Sequence, residues 1–173
     1  GEPGRCRFAH SLNLGCVRFG ERFGLYERAA PEAIAAARQA AAEQLTPVCE
    51  RIASLGLTTV RDHILASDGT ATTVAAMLQA LSRYDRQRVH GYAVDRRGLE
   101  DRMRHLWSMS SHDRARLPGV DSGRAVVLPT GMLILSEALR QLGADTFRVT
   151  TRGLRFGLLM RLRNGELPAT WTW

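Results

Sequence analysis

Apolar residues recur along this chain at two periods, and the period separates helix from strand. The clearest case is residues 31–55, where Ile34, Ala37, Ala41, Leu45, Val48, Ile52 and Leu55 step by three or four. One apolar stripe of that kind predicts an amphipathic helix. Pro31 suits its first turn, Pro47 predicts a kink or break, and Gly56 marks a stop. Near the start, Val17 and Phe19 alternate with Arg18. Residues 5–19 therefore read as extended, with a turn near Asn13 and Gly15. "HILAS" (63–67) reads as a short buried strand. It runs into an Asp68-Gly69-Thr70 corner and a helix from about Thr72 to Arg83.

Further along, "YDRQRVHGY" (84–92) is polar and reads as a loop. Asp95 is placed to cap a helix carrying Leu99, Met103, Leu106 and Trp107. Residues 110–119 predict a helical turn ended by Pro118 and Gly119. A long apolar helix follows over 124–143, with Pro129 early in it, then a strand at 146–151 and a last helix from Gly153 to Arg163. A β-rich start followed by alternating helices and strands predicts an α/β domain, its sheet covered by helices. In open α/β sheets, ligands bind at the carboxyl ends of the strands. The corners at Gly69 and Gly153 are expected there.

Composition adds three constraints. The 173 residues suffice for one domain with a real core. No apolar run approaches the roughly 20 residues that span a bilayer, and polar Gly1 to Arg7 has no signal-peptide h-region behind it. Cys6, Cys16 and Cys49 have no metal spacing and are odd in number, so buried free thiols and a cytoplasmic location are expected. The formal net charge is +7, and all 24 basic residues are arginine. Arginine's planar fork suits phosphate, so the charge fits either a polyanionic partner or a solvated basic surface.

"SDGTATTVAAM" (67–77) gives that charge a focus. The first N–H groups of a helix lack partners within it and attract anions. Gly69 carries no Cβ to block a ligand's approach. Thr70, Thr72 and Thr73 offer hydroxyls, although Thr70 could equally cap the helix. The corner is thus equipped for phosphate, or is a plain helix start with a small-residue packing face.

"GTATTVAAM", "YDRQRVHGY", "GRAVVLPTGMLIL" and "RGLRFGLL", in this order and spacing, resemble the exopolyphosphatase and guanosine pentaphosphate phosphatase (Ppx/GppA) family, as does "SLNLGCVRF". The resemblance covers roughly residues 10–160. It implies a ribonuclease-H-like domain of the actin-like ATPase superfold, with a mixed sheet flanked by helices. It also implies a magnesium-dependent enzyme that releases terminal phosphate from inorganic polyphosphate or from pppGpp. This chain resembles the second lobe of that two-lobe enzyme. By that resemblance Gly69 and Thr70 belong to the nucleotide-contacting loop. His90 and Gly91 match the family's "VHG", Arg124 lies near the interlobe cleft and is associated with guanosine tetraphosphate, and Gly153, Leu154, Arg155 and Gly157 match "GLREG".

Departures accompany these matches. Phe156 stands where "GLREG" has an acid, and Val126 stands at a position that is often aspartate. The family's D-x-G-G-G-S phosphate loop does not occur in the chain, nor does the lobe expected to supply the water-activating glutamate. Phosphoryl hydrolysis needs both a phosphate cradle and a positioned water. The expectation is therefore that this chain alone is inactive, with no catalytic residue of its own, and that the magnesium ligands lie outside it. Gly69, Thr70, Thr72, Arg124 and Arg155 are the candidate phosphate-binding residues. The expected partners are polyphosphate or guanosine penta- or tetraphosphate, the first lobe and a homodimer mate. The alternative is a non-catalytic nucleotide or polyphosphate sensor.

Other chemistries fare worse. None of the five histidines has a second ligand at metal spacing, and no G-x-S-x-G elbow is present. Arg96, Arg97, Arg102 and Arg104 crowd one stretch with His105 and Trp107, and Arg114 and Arg116 follow. Asp95, Glu100, Asp101 and Asp113 dilute this patch, so it reads as a solvated helix face and nucleic acid is not expected. Trp171 and Trp173 either dock on a surface or fray.

Overall fold

The computed structural model describes residues 6–57, 63–67 and 69–166. Asp68, Trp171 and Trp173 lie outside the described residues. Helix α1 (Cys16–Phe23) and helix α2 (Pro31–Ser54) precede strand β1 (Leu65–Ser67) and helix α3 (Gly69–Leu78). Then come α4 (Arg86–Val89), β2 (Ala93–Asp95), α5 (Arg96–Trp107) and α6 (Ser111–Arg114). A 3-10 turn at Ser122–Arg124 leads into α7 (Leu128–Gln141), β3 (Thr146–Thr150) and α8 (Leu154–Arg163).

Among the described residues the strands form one mixed sheet in the order β1-β3-β2. β1 runs parallel to β3, and β2 runs antiparallel to it. In the central strand Phe147 and Val149 are buried while Thr146 and Arg148 are exposed. Val94 faces Phe147 and Ala66 faces Val149 across the ladders, so one face of the sheet enters the core. α3 packs beside β1 and β3, and α7 packs against α1, α2, α3 and α5. Met132, Leu133 and Leu139 of α7 are sealed from solvent. This is the mixed sheet flanked by helices that the family resemblance implies, and it agrees with the α/β reading.

Several local expectations are corrected. Residues 16–23 are helical, so the start is not β-rich. Phe19 is buried and Val17 is half exposed, and the rings of Phe19 and Phe23, one turn apart, pack tilted against each other with centroids 5.5 Å apart. α2 runs through Pro47 without a break, with Thr46 Oγ1 donating back to Ala42 O at 2.9 Å. Residues 63–67 do not form a buried strand, because β1 is an edge strand and Leu65 is 68% exposed. α3 begins at Gly69 itself and stops at Leu78, before Ala80 at φ 48°. The polar 84–92 segment contains a helical turn, capped by Asp85 Oδ1 accepting from Gln87 N–H at 2.8 Å. The Asp95 cap is as expected, its Oδ1 accepting from Gly98 N–H at 2.7 Å. All three cysteines are free, but they are not buried: Cys6 is exposed, and Cys16 and Cys49 are half-buried.

Two polar networks lock the helices. Arg114 is fully buried. Its guanidinium donates to the carbonyls of Leu106 (2.7 Å), Tyr26 (2.8 Å), Glu27 (2.7 Å) and Met109 (3.0 Å). It therefore ties the α1–α2 connection to the end of α5 and has no place in a surface polyanion track. Glu27 closes the same junction by accepting from Ser111 N–H at 2.8 Å and from the Ser111 hydroxyl. On α7, the buried Glu137 carboxylate meets Arg140, Gln141 and Arg38. Burial pushes the Glu137 carboxyl up, but the hydrogen bonds from Arg140 and Gln141 and the charges of Arg140 and Arg38 outweigh it. The net position lies below the ordinary value.

Candidate functional site

Because β1 and β3 are parallel, their carboxyl ends lie on the same side of the sheet. The strands end at Ser67 and Thr150, and both residues border a cleft of about 990 Å³. Three segments complete its wall: the start of α3, the loop through Gly119 to Arg124, and the start of α8. The two glycine corners expected at the carboxyl edge are both there, at Gly69 and Gly153.

The Gly69 corner is shaped by a close approach. A Cβ built on Gly69 would lie 1.7 Å from Arg124 Nη1 and 1.9 Å from Arg124 Cζ. The guanidinium thus rests over the bare Cα of the residue that opens α3. Gly69 has no positive φ, so the space it leaves, rather than its backbone freedom, seats the arginine. Among the described residues no carboxylate pairs with Arg124 or Arg155, and both side chains are exposed at the cleft. The start of a ten-residue helix and an unpaired guanidinium converge on one point, which suits an anion.

A second glycine holds the opposing wall. Gly119 has φ +82°, and a Cβ on it would come within 2.4 Å of the Ala76 carbonyl. The 119–122 loop can press against α3 only because that residue is glycine. Asp121 then caps the 3-10 turn, accepting from Gly123 N–H at 2.9 Å, and this turn delivers Arg124.

Of the five candidates, Gly69, Thr72, Arg124 and Arg155 border the cleft. The Thr72 hydroxyl lies 3.3 Å from Gly69 O. Thr70 is not part of the lining. Its side chain faces α7, where a Cβ on Gly131 would come within 2.4 Å of Thr70 Oγ1. Thr70 thus belongs to the α3–α7 crossing. Thr73 borders the cleft as well. The lining also includes Ser67, Ser82, Tyr84, Ser122 and Thr151, which the motifs do not single out. A Pro-Gly turn at 118–119 and the hydroxyl pair Thr150-Thr151 where β3 ends were the available signals. His90 supports the rim, its Nδ1 accepting from Thr151 N–H at 3.2 Å. Phe156 lines the cleft and lies under the Arg152 guanidinium, 5.3 Å from ring centroid to Cζ.

A metal fits this lining poorly. Among the described residues no group of three His, Cys, Asp or Glu side chains could hold an ion. Among the described residues Asp121 is the carboxylate in the lining, and it is engaged by Gly123. No helix among the described residues is long and apolar enough to cross a membrane.

Comparison with known proteins agrees with this fold. The sequence profile of the Ppx/GppA phosphatase family matches residues 1–166. Exopolyphosphatase 2 of Mycobacterium tuberculosis is 27% identical over 158 residues, which cover 89% of this chain and 48% of that protein. Guanosine-5'-triphosphate,3'-diphosphate pyrophosphatase of Aeromonas hydrophila is 27% identical over 166 residues, covering 94% of this chain and 30% of that protein. Among solved structures, the Aquifex aeolicus PPX-GPPA enzyme superposes with a TM-score of 0.80 at 26% identity. It covers 92% of this chain and 50% of that one. The chain therefore spans about half the length of the exopolyphosphatase and of the Aquifex enzyme.

Proposed function

The chain belongs to the Ppx/GppA phosphatase family, and on that premise we propose that it acts as the second lobe of a two-lobe phosphatase. The reaction is release of the terminal phosphate of inorganic polyphosphate or of pppGpp, with magnesium. The observation that carries this reading is the Arg124 guanidinium seated over Gly69 at the carboxyl edge of the sheet. In this reading the first N–H groups of α3 and the guanidinium of Arg124 hold a phosphate group, and Arg155 faces it from α8. Such fixed donors hold the anion and favour the charge that spreads over its oxygens during transfer. The magnesium ligands and the group that activates water come from the first lobe. Leu154 and Leu159 of α8, 91% and 64% exposed, supply apolar surface for that lobe to cover.

A second reading is a sensor that binds the same anions without cleaving them. It is favoured by the scarcity of carboxylates among the described residues of the cleft and by Phe156 at the family's acidic position. Titrating the chain with pppGpp and with polyphosphate, then assaying phosphate release with magnesium, tests both. Binding without release is expected of the chain alone. Adding the first lobe in trans should restore release under the enzymatic reading and not under the sensor reading. Absence of binding would refute both.

A further inference from the structure

Phe156 stands where the family's pattern has an acid, and the core does not need it, because α8 buries none of its ten residues. The ring is nevertheless held in place. The Arg152 guanidinium lies over it, with Cζ 5.3 Å from the ring centroid, and attraction between the cation and the π-face favours that orientation. Arg152 is itself positioned by the end of β3, its backbone N–H donating to Thr150 Oγ1 at 3.1 Å. Phe156 lines the cleft and Arg152 does not. The cation therefore covers the ring from outside, and the surface left to the ring, 38% exposed, is available to the cleft. Tyr84 is the other aromatic residue in the described lining; it is 57% exposed, and no cation among the described residues lies over it.

The cleft thus has two chemically different walls. The start of α3 and the 3-10 turn bring backbone N–H groups, hydroxyls and Arg124, while the start of α8 brings Phe156 with Leu154 and Leu159. A bare chain of phosphates has a use for the first wall alone. A ligand with both phosphates and a flat aromatic heterocycle has a use for both. Resting on the phosphate-binding reading of the cleft, we infer that Phe156 is a specificity-determining residue. Its ring stacks on the base of a nucleoside polyphosphate whose phosphates lie at Gly69 and Arg124, and it favours a nucleotide over inorganic polyphosphate. The carboxylate of the family's pattern offers no π-face, so this contact belongs to the present chain. Stacking does not read the edges of a base, so guanine and adenine are accepted alike.

The test is isothermal titration of wild type and Phe156→Ala with GTP, ATP and tripolyphosphate, which carry the same row of three phosphates with and without a nucleoside. Phe156→Ala should weaken GTP and ATP alike, by about fivefold to a hundredfold, and leave tripolyphosphate within about twofold of wild type. Phe156→Trp, which keeps a π-face, should retain the wild-type ratio of nucleotide to tripolyphosphate affinity. Leu158 is equally exposed on the same helix but outside the cleft lining, so Leu158→Ala should alter none of the three affinities. The melting temperature should hold in every variant, because α8 buries none of its residues. Unchanged nucleotide affinity in Phe156→Ala, equal losses for all three ligands, or loss of the ratio in Phe156→Trp would overturn the inference. So would the same loss in Leu158→Ala, or a loss confined to one of the two nucleotides. If wild type binds none of the three, the phosphate-binding reading falls as well. If Arg124→Ala weakens all three while Phe156→Ala alters nothing, only the role of Phe156 falls.

Discussion

Replacing Gly69 by alanine places a Cβ within 2 Å of two Arg124 guanidinium atoms, Nη1 at 1.7 Å and Cζ at 1.9 Å. Something must move, and the far end of an exposed arginine moves more cheaply than backbone. Gly69 is not in a left-handed conformation, so alanine is tolerated there. In the first turn of α3 it should stabilise the helix by up to about 1 kcal/mol. Binding should respond in the opposite direction. Hydrogen bonds to a charged group are worth about 1.5–3 kcal/mol, so an unseated Arg124 weakens tripolyphosphate by roughly 10- to 100-fold. Isothermal titration on Gly69→Ala, Arg124→Ala and the double variant separates the contributions. If Gly69 acts through Arg124, the double variant binds like Arg124→Ala alone, a coupling that a double-mutant cycle measures. Additive losses would mean that the new methyl obstructs the ligand itself. Unchanged affinity in Gly69→Ala would refute the seating argument.

Other consequences follow from single contacts. Gly119→Ala combines a positive φ with a backbone clash at Ala76 and should cost at least about 2 kcal/mol in urea unfolding, against no measurable change if the loop can lift. Arg114→Ala strands buried carbonyls at Leu106, Tyr26, Glu27 and Met109, so about 3–5 kcal/mol should be lost, and a loss under about 1 kcal/mol would contradict the latch. Thr130 is fully buried on α7 and its hydroxyl finds no partner among the described residues, so Thr130→Val should stabilise by about 1 kcal/mol in the same unfolding assay. The Glu137 carboxyl titrates below its unfolded value, so its stabilisation is complete above the unfolded value and disappears as pH falls through the folded one. Glu137→Gln should flatten the acid limb of a stability–pH curve and leave the neutral-to-basic limb parallel to wild type.

The long helices and the central strand were legible because their patterns extend over enough residues to fix a period. Asp95 announced α5 by its capping chemistry, and Thr146–Thr150 alternates cleanly. At 16–23 the pattern was too short: Val17 and Phe19 suggest alternation, while Phe19 and Phe23 carry the helical spacing that prevails. β2, three residues long, is defined by its ladder to β3 rather than by a pattern of its own. The motifs brought Gly69, Arg124 and Arg155 to one cleft, because strand–helix corners converge wherever parallel strands end. They could not show that Thr70 faces α7, nor that Arg114 is interior. Those outcomes depend on which helix lies opposite, a long-range fact absent from local spacing. Gly119 was visible as a turn residue, but its contact with Ala76 was not.

The most direct test of the central claim is isothermal titration of wild type and Arg124→Ala with tripolyphosphate. The account predicts one saturable site in wild type and an affinity lower by roughly 10- to 100-fold in the variant, with the melting temperature unchanged. Equal binding by the two proteins, or none by wild type, would contradict it.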